Sequence, residues 1–119
     1  MGFIHGEHHT PVRVRYAETD RMGVAYNSHY LVWFEMGRTE LLRDLGLSYR
    51  ELEQRGFMLP LRETGIKYLK PVRYDDVLTI VTRFGKKAGA RIVMEYEIRR
   101  LEDVMATGFT EHVFTDSSL

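Results

Sequence analysis

Cysteine is absent from the 119 residues, which excludes disulfides, thiolate nucleophiles and cysteine-ligated zinc. Neither sign of charge prevails. Seventeen Lys and Arg balance 17 Asp and Glu, so no overall field draws the chain to nucleic acid or to an anionic membrane, although a local basic patch stays open. No apolar run approaches the roughly 20 residues of a membrane helix, and Met1 to Thr10 has no secretion-signal core. The expectation is a cytoplasmic protein without membrane insertion. Repeats, low-complexity tracts, linkers, a P-loop, a GxSxG elbow, an HExxH helix and a nucleic-acid module are also missing. What is present is a 44% hydrophobic content, enough for one core in a chain of this length. We expect one domain over residues 11–119, preceded by a flexible N-terminus at residues 1–10.

The spacing of apolar residues supplies the element order. Val12, Val14 and Tyr16 alternate with Arg13 and Arg15, a strand pattern over Pro11 to Ala17. Tyr30, Leu31, Phe34, Leu41, Leu42 and Leu45 recur at helical spacing from about His29 to Leu45. Asn27 or Ser28 suits the N-cap of that helix, and Gly46 suits its C′ position. Trp33 widens the apolar stripe and predicts a largely buried helix. Gly37 in its middle costs up to about 1 kcal/mol and implies close approach of another backbone. Ser48-Tyr49-Arg50-Glu51 reads as the capping box of a short second helix ending near Gly56. Beyond it the pattern is strand-like, with Thr64, Ile66 and Tyr68, then Val77 to Phe84. Ile92, Met94, Tyr96 and Ile98 give the clearest alternation, and Val104 to Phe114 the last strand. Lys86 to Gly89 and Leu101 to Asp103 are short enough for hairpins. This order predicts an α+β fold, a five-stranded antiparallel sheet wrapped around one long central helix. One helix cannot cover both sheet faces, so the edges and outer face call for partner copies.

Several residues can carry chemistry. Asp20 precedes a Gly-containing loop running into a helix start, where backbone N–H groups and the helix dipole favour negative charge. It reads either as a general base or nucleophile at a pocket mouth, or as a loop carboxylate in an Asx-turn. Gly23-Val24-Ala25-Tyr26-Asn27 reads either as oxyanion donors or as a glycine-permitted turn. His29 is an acid/base candidate or a helix-start residue. Glu35 and Arg38 fit an i, i+3 ion pair, with Glu40 on the same helix. Lys86, Lys87 and Arg91 flank a hairpin and suit either phosphate contacts or a solvated loop, as do Lys67, Lys70 and Arg73. His5, Glu7, His8 and His9 superficially resemble metal ligands but have no evident supporting shell, and no metal site is expected. Tyr26, Tyr30, Phe34, Phe57, Met58 and Leu59 suit an acyl pocket, a core or an interface.

The run from Tyr16 to Tyr30, with its Thr19-Asp20-x-x-Gly23-Val24 core and downstream Tyr26 and His29, resembles the signature of hotdog-fold acyl-CoA thioesterases of the 4-hydroxybenzoyl-CoA thioesterase and YbgC type. The helix from Tyr30 to Leu47, the corner Tyr68 to Asp76 and the closing strands follow the same order. The resemblance implies a hotdog fold and hydrolysis of an acyl-CoA to free acid and CoA. It makes Asp20 the catalytic carboxylate. It aligns the backbone N–H near Tyr26 and Asn27 with the group that polarises the thioester carbonyl. With the loop reading above, the oxyanion or substrate-positioning candidates are Gly23, Val24, Tyr26, Asn27 and His29, and the acyl-pocket candidates are Tyr30, Phe34, Met58 and Leu59. It implies a dimer or a dimer of dimers with sites at the dimer interface, where Lys86, Lys87 and Arg91 of a neighbouring copy suit the CoA phosphates. No cofactor is required, because CoA thiolate leaves readily. The alternatives are a non-catalytic acyl-CoA-binding module and an enoyl-thioester hydratase on the same scaffold.

Overall fold

The computed structural model describes residues 2–4 and 6–116; Met1, His5 and residues 117–119 lie outside the described residues. Strand β1 (Gly2–Ile4) pairs with β2 (Glu7–Arg13). A single 3-10 turn (Tyr16–Glu18) then leads to helix α1 (Ser28–Asp44) and helix α2 (Tyr49–Gln54). Short β3 (Phe57–Met58) precedes β4 (Leu61–Tyr68), β5 (Val77–Ala88), β6 (Arg91–Arg100) and β7 (Asp103–Val113), and β8 (Thr115–Asp116) returns to β3. The main sheet is antiparallel with order β1-β2-β5-β6-β7-β4. Its five long strands curl round α1, which lies against β2, β5 and β6. This is the expected α+β hotdog architecture, with three-residue β1 added at one edge.

The helices begin and end where local chemistry directs. Gly46 has φ 78°, its N–H bonds to Arg43 O, and Leu47 N–H bonds to Leu42 O. That pair of bonds is a Schellman ending, and the left-handed residue favours glycine. Ser48 Oγ accepts from Glu51 N–H at 3.2 Å and starts α2. In the sheet, Met94, Tyr96 and Ile98 are buried as their alternation predicts.

Packing explains two glycines. Gly37 lies where an added Cβ would meet the side chains of Ile80, at 2.7 Å, and Thr82. The close approach is therefore to β5 side chains rather than to another backbone. Gly108 on β7 makes room for Phe34, whose ring stacks on Tyr96 with centroids 4.3 Å apart.

The N-terminal expectation is corrected for residues 7–10, which form β2 rather than a frayed segment, and the strand ends at Arg13 rather than Ala17. Inward-facing His8 and Thr10 are buried but polar. His8 Nε2 lies 2.8 Å from Asp44 Oδ2 at the end of α1, and Thr10 Oγ1 lies 3.2 Å from its Nδ1. Hydropathy cannot register a strand whose buried face is satisfied by hydrogen bonds. His8 thus ties β2 to α1. His9 faces Glu7 at 3.6 Å.

The outer sheet face carries a network of ion pairs. Arg83 bridges Glu95 at 3.0 Å, Glu97 at 3.0 Å and Glu7 at 3.2 Å, and Arg99 reaches Glu97 at 3.1 Å. A face laced with ion pairs is compatible with water.

Arg38 does not pair with Glu35. Its Nε donates to Tyr49 Oη at 2.7 Å and its Nη1 to Tyr96 Oη at 3.0 Å. Tyr96 Oη lies 2.6 Å from Thr110 Oγ1, which lies 2.9 Å from His112 Nε2. His112 Nδ1 meets the Leu59 carbonyl at 3.1 Å. Glu40 pairs instead with Arg43. Burial, and secondly the nearby Arg38 cation, hold the His112 pKa below its ordinary value.

Two outcomes are expected. Gly108→Ala would place a methyl 2.5 Å from the Phe34 ring and 2.7 Å from Gly65 O. Overpacking of this kind typically costs about 1–3 kcal/mol, to be read as a lower urea midpoint at unchanged m-value. Below about pH 6.5 the unfolded chain takes up a proton that folded His112 refuses. This stability contribution is therefore complete at neutral pH and is lost as pH falls below about 6.5, by up to about 1.4 kcal/mol per pH unit. Urea titrations at pH 7 and 5.5 should show that loss in the wild type and a smaller one in His112→Gln.

Candidate active site

The segment between the 3-10 turn and α1 is a tight hairpin laid on the 72–74 stretch. Thr19 bridges Ala25, and Val24 bridges Arg73. Ala25 N–H bonds to Val72 O at 2.7 Å and Tyr74 N–H to Gly23 O at 2.9 Å. Gly23 sits at φ 73°, a conformation that glycine adopts without strain.

Asp20 anchors this hairpin. Its N–H bonds to Val24 O at 2.9 Å and its C=O accepts from Gly23 N–H at 3.0 Å. Its Oδ1 accepts from Met22 N–H at 2.8 Å and Val24 N–H at 3.2 Å. The Asx-turn reading therefore describes one carboxylate oxygen. Oδ2 has no hydrogen-bond donor among the described residues, so the half-buried side chain keeps an acceptor for chemistry.

The same accounting narrows the candidate oxyanion donors. Gly23 N–H goes to Asp20 O, Val24 N–H to Asp20 Oδ1, Tyr26 N–H to Glu18 O at 2.9 Å, and His29 N–H to Tyr26 O at 3.0 Å. Among the described residues, Asn27 and Ser28 N–H groups have no acceptor. They sit at the positive end of the 17-residue α1, where orphan donors and the macrodipole act together on an anion. Of the two expected donors, Tyr26 spends its N–H on Glu18 O and Asn27 does not; Ser28 shares the state of Asn27.

Glu18 carries no signal in the sequence. It is almost fully buried, yet its two oxygens have assigned tasks. Oε1 accepts Arg15 N–H at 2.7 Å. Oε2 accepts Trp33 Nε1–H at 3.3 Å and lies 3.8 Å from His29 Nδ1. His29 Nδ1 is buried without a hydrogen bond at this distance. Glu18 thereby joins the start of the loop to the inner face of α1 and faces His29. No periodicity announces this, because the contact spans 15 residues and depends on how the loop folds back.

A depression of about 290 Å³ opens at the α1 N-terminus, lined by Val24, Ala25, Asn27, Tyr30, Tyr68, Leu69, Lys70 and Pro71. Tyr30 meets Tyr68 edge-on, with ring centroids 4.9 Å apart. Lys70, held 3.2 Å from Asp103, puts a cation at the rim. Asp20 lies outside this lining. Phe34 is fully enclosed in the core, so the structure does not bring it to the depression. Met58 and Leu59 line a separate hollow of about 190 Å³ with Tyr49, Leu52 and Phe57. Lys86, Lys87 and Arg91 are exposed at the far end of β5 and the start of β6. The 12 residues of β5 rise roughly 35–40 Å, and Val77 at its near end adjoins Asp76, bonded to Val14. Within one protomer, these cations and the hairpin therefore stand at opposite ends of a long strand.

Glu18→Gln would turn an N–H of the new amide toward Trp33 Nε1–H or Arg15 N–H, leaving a buried donor unpaired. The expected cost is about 1–3 kcal/mol, read as a lower urea midpoint with the emission of Trp33, the single tryptophan.

A model of the thioesterase-like superfamily matches residues 14–119. YneP of Bacillus subtilis is 41% identical over 87 residues, covering 73% of this chain and 63% of YneP. The chain thus spans slightly less than two thirds of that relative. The acyl-CoA thioester hydrolase YbgC of Escherichia coli is 34% identical over 95 residues, covering 80% of this chain and 71% of YbgC. The crystal structure of a DHNA-CoA thioesterase from Staphylococcus aureus superposes with a TM-score of 0.88 at 33% identity, covering 93% of this chain and 75% of that one. With its hotdog fold and a family match that begins at Val14 and takes in the whole hairpin and helix, the chain belongs to the thioesterase-like superfamily.

Proposed function

We propose that the protein is an acyl-CoA thioesterase in which Asp20 is the catalytic carboxylate and the N-terminus of α1 is the oxyanion site. The observation that carries this reading is the pairing of an acceptor oxygen, Asp20 Oδ2, with two uncommitted N–H groups, Asn27 and Ser28, on one continuous hairpin and helix start. The names of YbgC and of the Staphylococcus enzyme supply the substrate class, a CoA thioester.

The chemistry then runs as follows. The thioester carbonyl oxygen gains negative charge as its carbon is attacked, and the helix-start N–H groups stabilise that charge. Losing one such donor typically costs about 3 kcal/mol. In the general-base route, Asp20 takes a proton from water as the water oxygen bonds to the acyl carbon. The C–S bond breaks, and the CoA thiolate leaves and is reprotonated. In the nucleophilic route, an Asp20 oxygen bonds to the acyl carbon, CoA thiolate leaves, and water hydrolyses the mixed anhydride. His29 and Glu18 act behind the hairpin as positioning groups, and Gly23 and Val24 shape it.

The acyl site is completed between two copies. Tyr30 belongs to the depression at α1, whereas Met58 and Leu59 line a different hollow. Within one chain the two do not meet; a homo-oligomer, as a dimer or dimer of dimers, supplies the second wall. Lys86, Lys87 and Arg91 of a neighbouring copy, with Lys70 of the same copy, suit the CoA phosphates. A cytoplasmic location fits a CoA ester as substrate.

Asp20→Asn preserves the size of the side chain and the acceptor used in the turn. It should lower thiol release from an acyl-CoA panel by about 10²- to 10⁴-fold, the range for a positioned acid or base, at unchanged melting temperature. Turnover equal to wild type would refute the assignment. Hydration of crotonyl-CoA, seen as loss of conjugated-thioester absorbance without thiol release, would favour a hydratase. Tight binding without turnover would favour a binding module.

A further inference from the structure

Arg38, on the helix that forms the core, has two tyrosine hydroxyls and no carboxylate as partners among the described residues. A half-buried guanidinium held by hydroxyls alone is unusual, because a charge partly withdrawn from water is normally paired. Its hydrogen bonds end far from where they begin. They cross from α1 to Tyr96 on β6 and to Thr110 and His112 on β7, and arrive at the carbonyl of Leu59.

With the His112 ring neutral, as its burial favours, the direction of every bond in that chain is fixed by its two ends. Guanidinium can only donate and a carbonyl can only accept. Arg38 Nη1–H therefore donates to Tyr96 Oη, and Tyr96 O–H donates to Thr110 Oγ1. Thr110 O–H then donates to His112 Nε2, and His112 Nδ1–H donates to Leu59 O. Each hydroxyl gives and receives once along the relay, and the imidazole is neutral with its proton on Nδ1. The second Arg38 bond, to Tyr49 Oη at 2.7 Å, fastens α2 to the same cation. Tyr49 lines the 190 Å³ hollow together with Met58, Leu59 and Pro60. The fork of Arg38 thus holds that hollow from two sides. The neighbouring bond from Val113 N–H to Pro60 O at 3.2 Å completes the attachment of the 57–60 segment to β7.

We propose that Arg38, Thr110 and His112 are positioning residues that hold the 57–60 segment through this one-way relay and thereby set acyl-chain preference. The inference rests on the reading of Met58 and Leu59 as an acyl-pocket wall. A carbonyl held by a satisfied polar chain leaves the wall little freedom to yield to a longer acyl group. A wall released from it opens to a wider range.

The test has a spectroscopic arm and a kinetic arm. Nitrogen-15 NMR of the His112 ring in the wild type should show the neutral Nδ1–H tautomer. An Nε2–H tautomer would overturn the relay whatever the activity. Thr110→Val removes the central hydroxyl at nearly constant volume, and Thr110→Ser retains it. Across an acyl-CoA series of increasing chain length, Thr110→Val should change the ratio of kcat/KM between long and short substrates by about fivefold or more, the scale of one lost hydrogen bond. The change should appear mainly in KM, and Thr110→Ser should restore the wild-type ratio. If Thr110→Val fails to fold, Tyr96→Phe cuts the same relay one bond earlier and should shift the ratio likewise. An unchanged ratio in the folded variant, or no rescue by serine, would overturn the proposal. Asp20→Asn separates the two readings: full activity there would refute the catalytic assignment but not the relay. No turnover by wild type on any substrate would remove the specificity role together with the proposed activity, with the ring tautomer still judging the relay.

Discussion

Helix α1 lies closer to the sheet than two fully side-chained surfaces permit, and the rest of the structure follows from that approach. Gly37 on the helix lets Ile80 and Thr82 in, and Gly108 on the sheet lets Phe34 in. Phe34 can then stack on Tyr96. Interiors pack at crystal-like density, and a gap of even a methyl group is felt. The distance between helix and sheet is therefore set to within small tolerances. It determines where the N-terminus of α1 ends up, and hence where its uncommitted N–H groups stand.

Polar groups inside this packing do structural work that apolar contacts cannot. Glu18 uses one oxygen on Arg15 N–H and the other on the Trp33 indole, so the hairpin bearing Asp20 cannot swing independently of α1. His8 does the same at the other end of the helix through Asp44. Arg38 and the hydroxyl chain to His112 link the helix midpoint to β6, β7 and the 57–60 segment. Each connection is directional where dispersion forces are not. Together they give α1 three points of angular restraint at its start, middle and end.

The division of the proposed site has the same origin. A single helix start provides the anion-attracting end, but the sheet's curvature carries 57–60 and the β5–β6 turn away from it. On the proposed reading, a site that needs an acyl wall and a phosphate grip besides an oxyanion cradle draws on more than one copy. The charged outer face, with Arg83 among Glu7, Glu95 and Glu97, leaves the edges and the helix-start face as the surfaces where copies would meet.

Much of the fold was legible in the residues themselves. The long helix was readable from its apolar spacing, its C-terminus from Gly46, the start of α2 from Ser48, and β6 from strict alternation, because these depend on contacts within a few residues. The glycine-permitted turn at Gly23 and the Asx-turn at Asp20 were legible for the same reason; that the turn closes a hairpin was not. What the chain alone did not disclose are contacts between positions far apart in sequence. The strand at residues 7–10 shows no hydropathy signal because its buried residues are polar and paired. Arg38 was expected beside Glu35, its neighbour on the helix, but packing turned it to Tyr49 and Tyr96. The availability of Asn27 and Ser28 rather than Tyr26 was decided by a single backbone bond to Glu18. Local sequence determined the elements and the likeness of the Tyr16–Tyr30 run; the tertiary structure alone decided which polar atoms are spent within the fold and which remain for chemistry, since that balance depends on every partner at once.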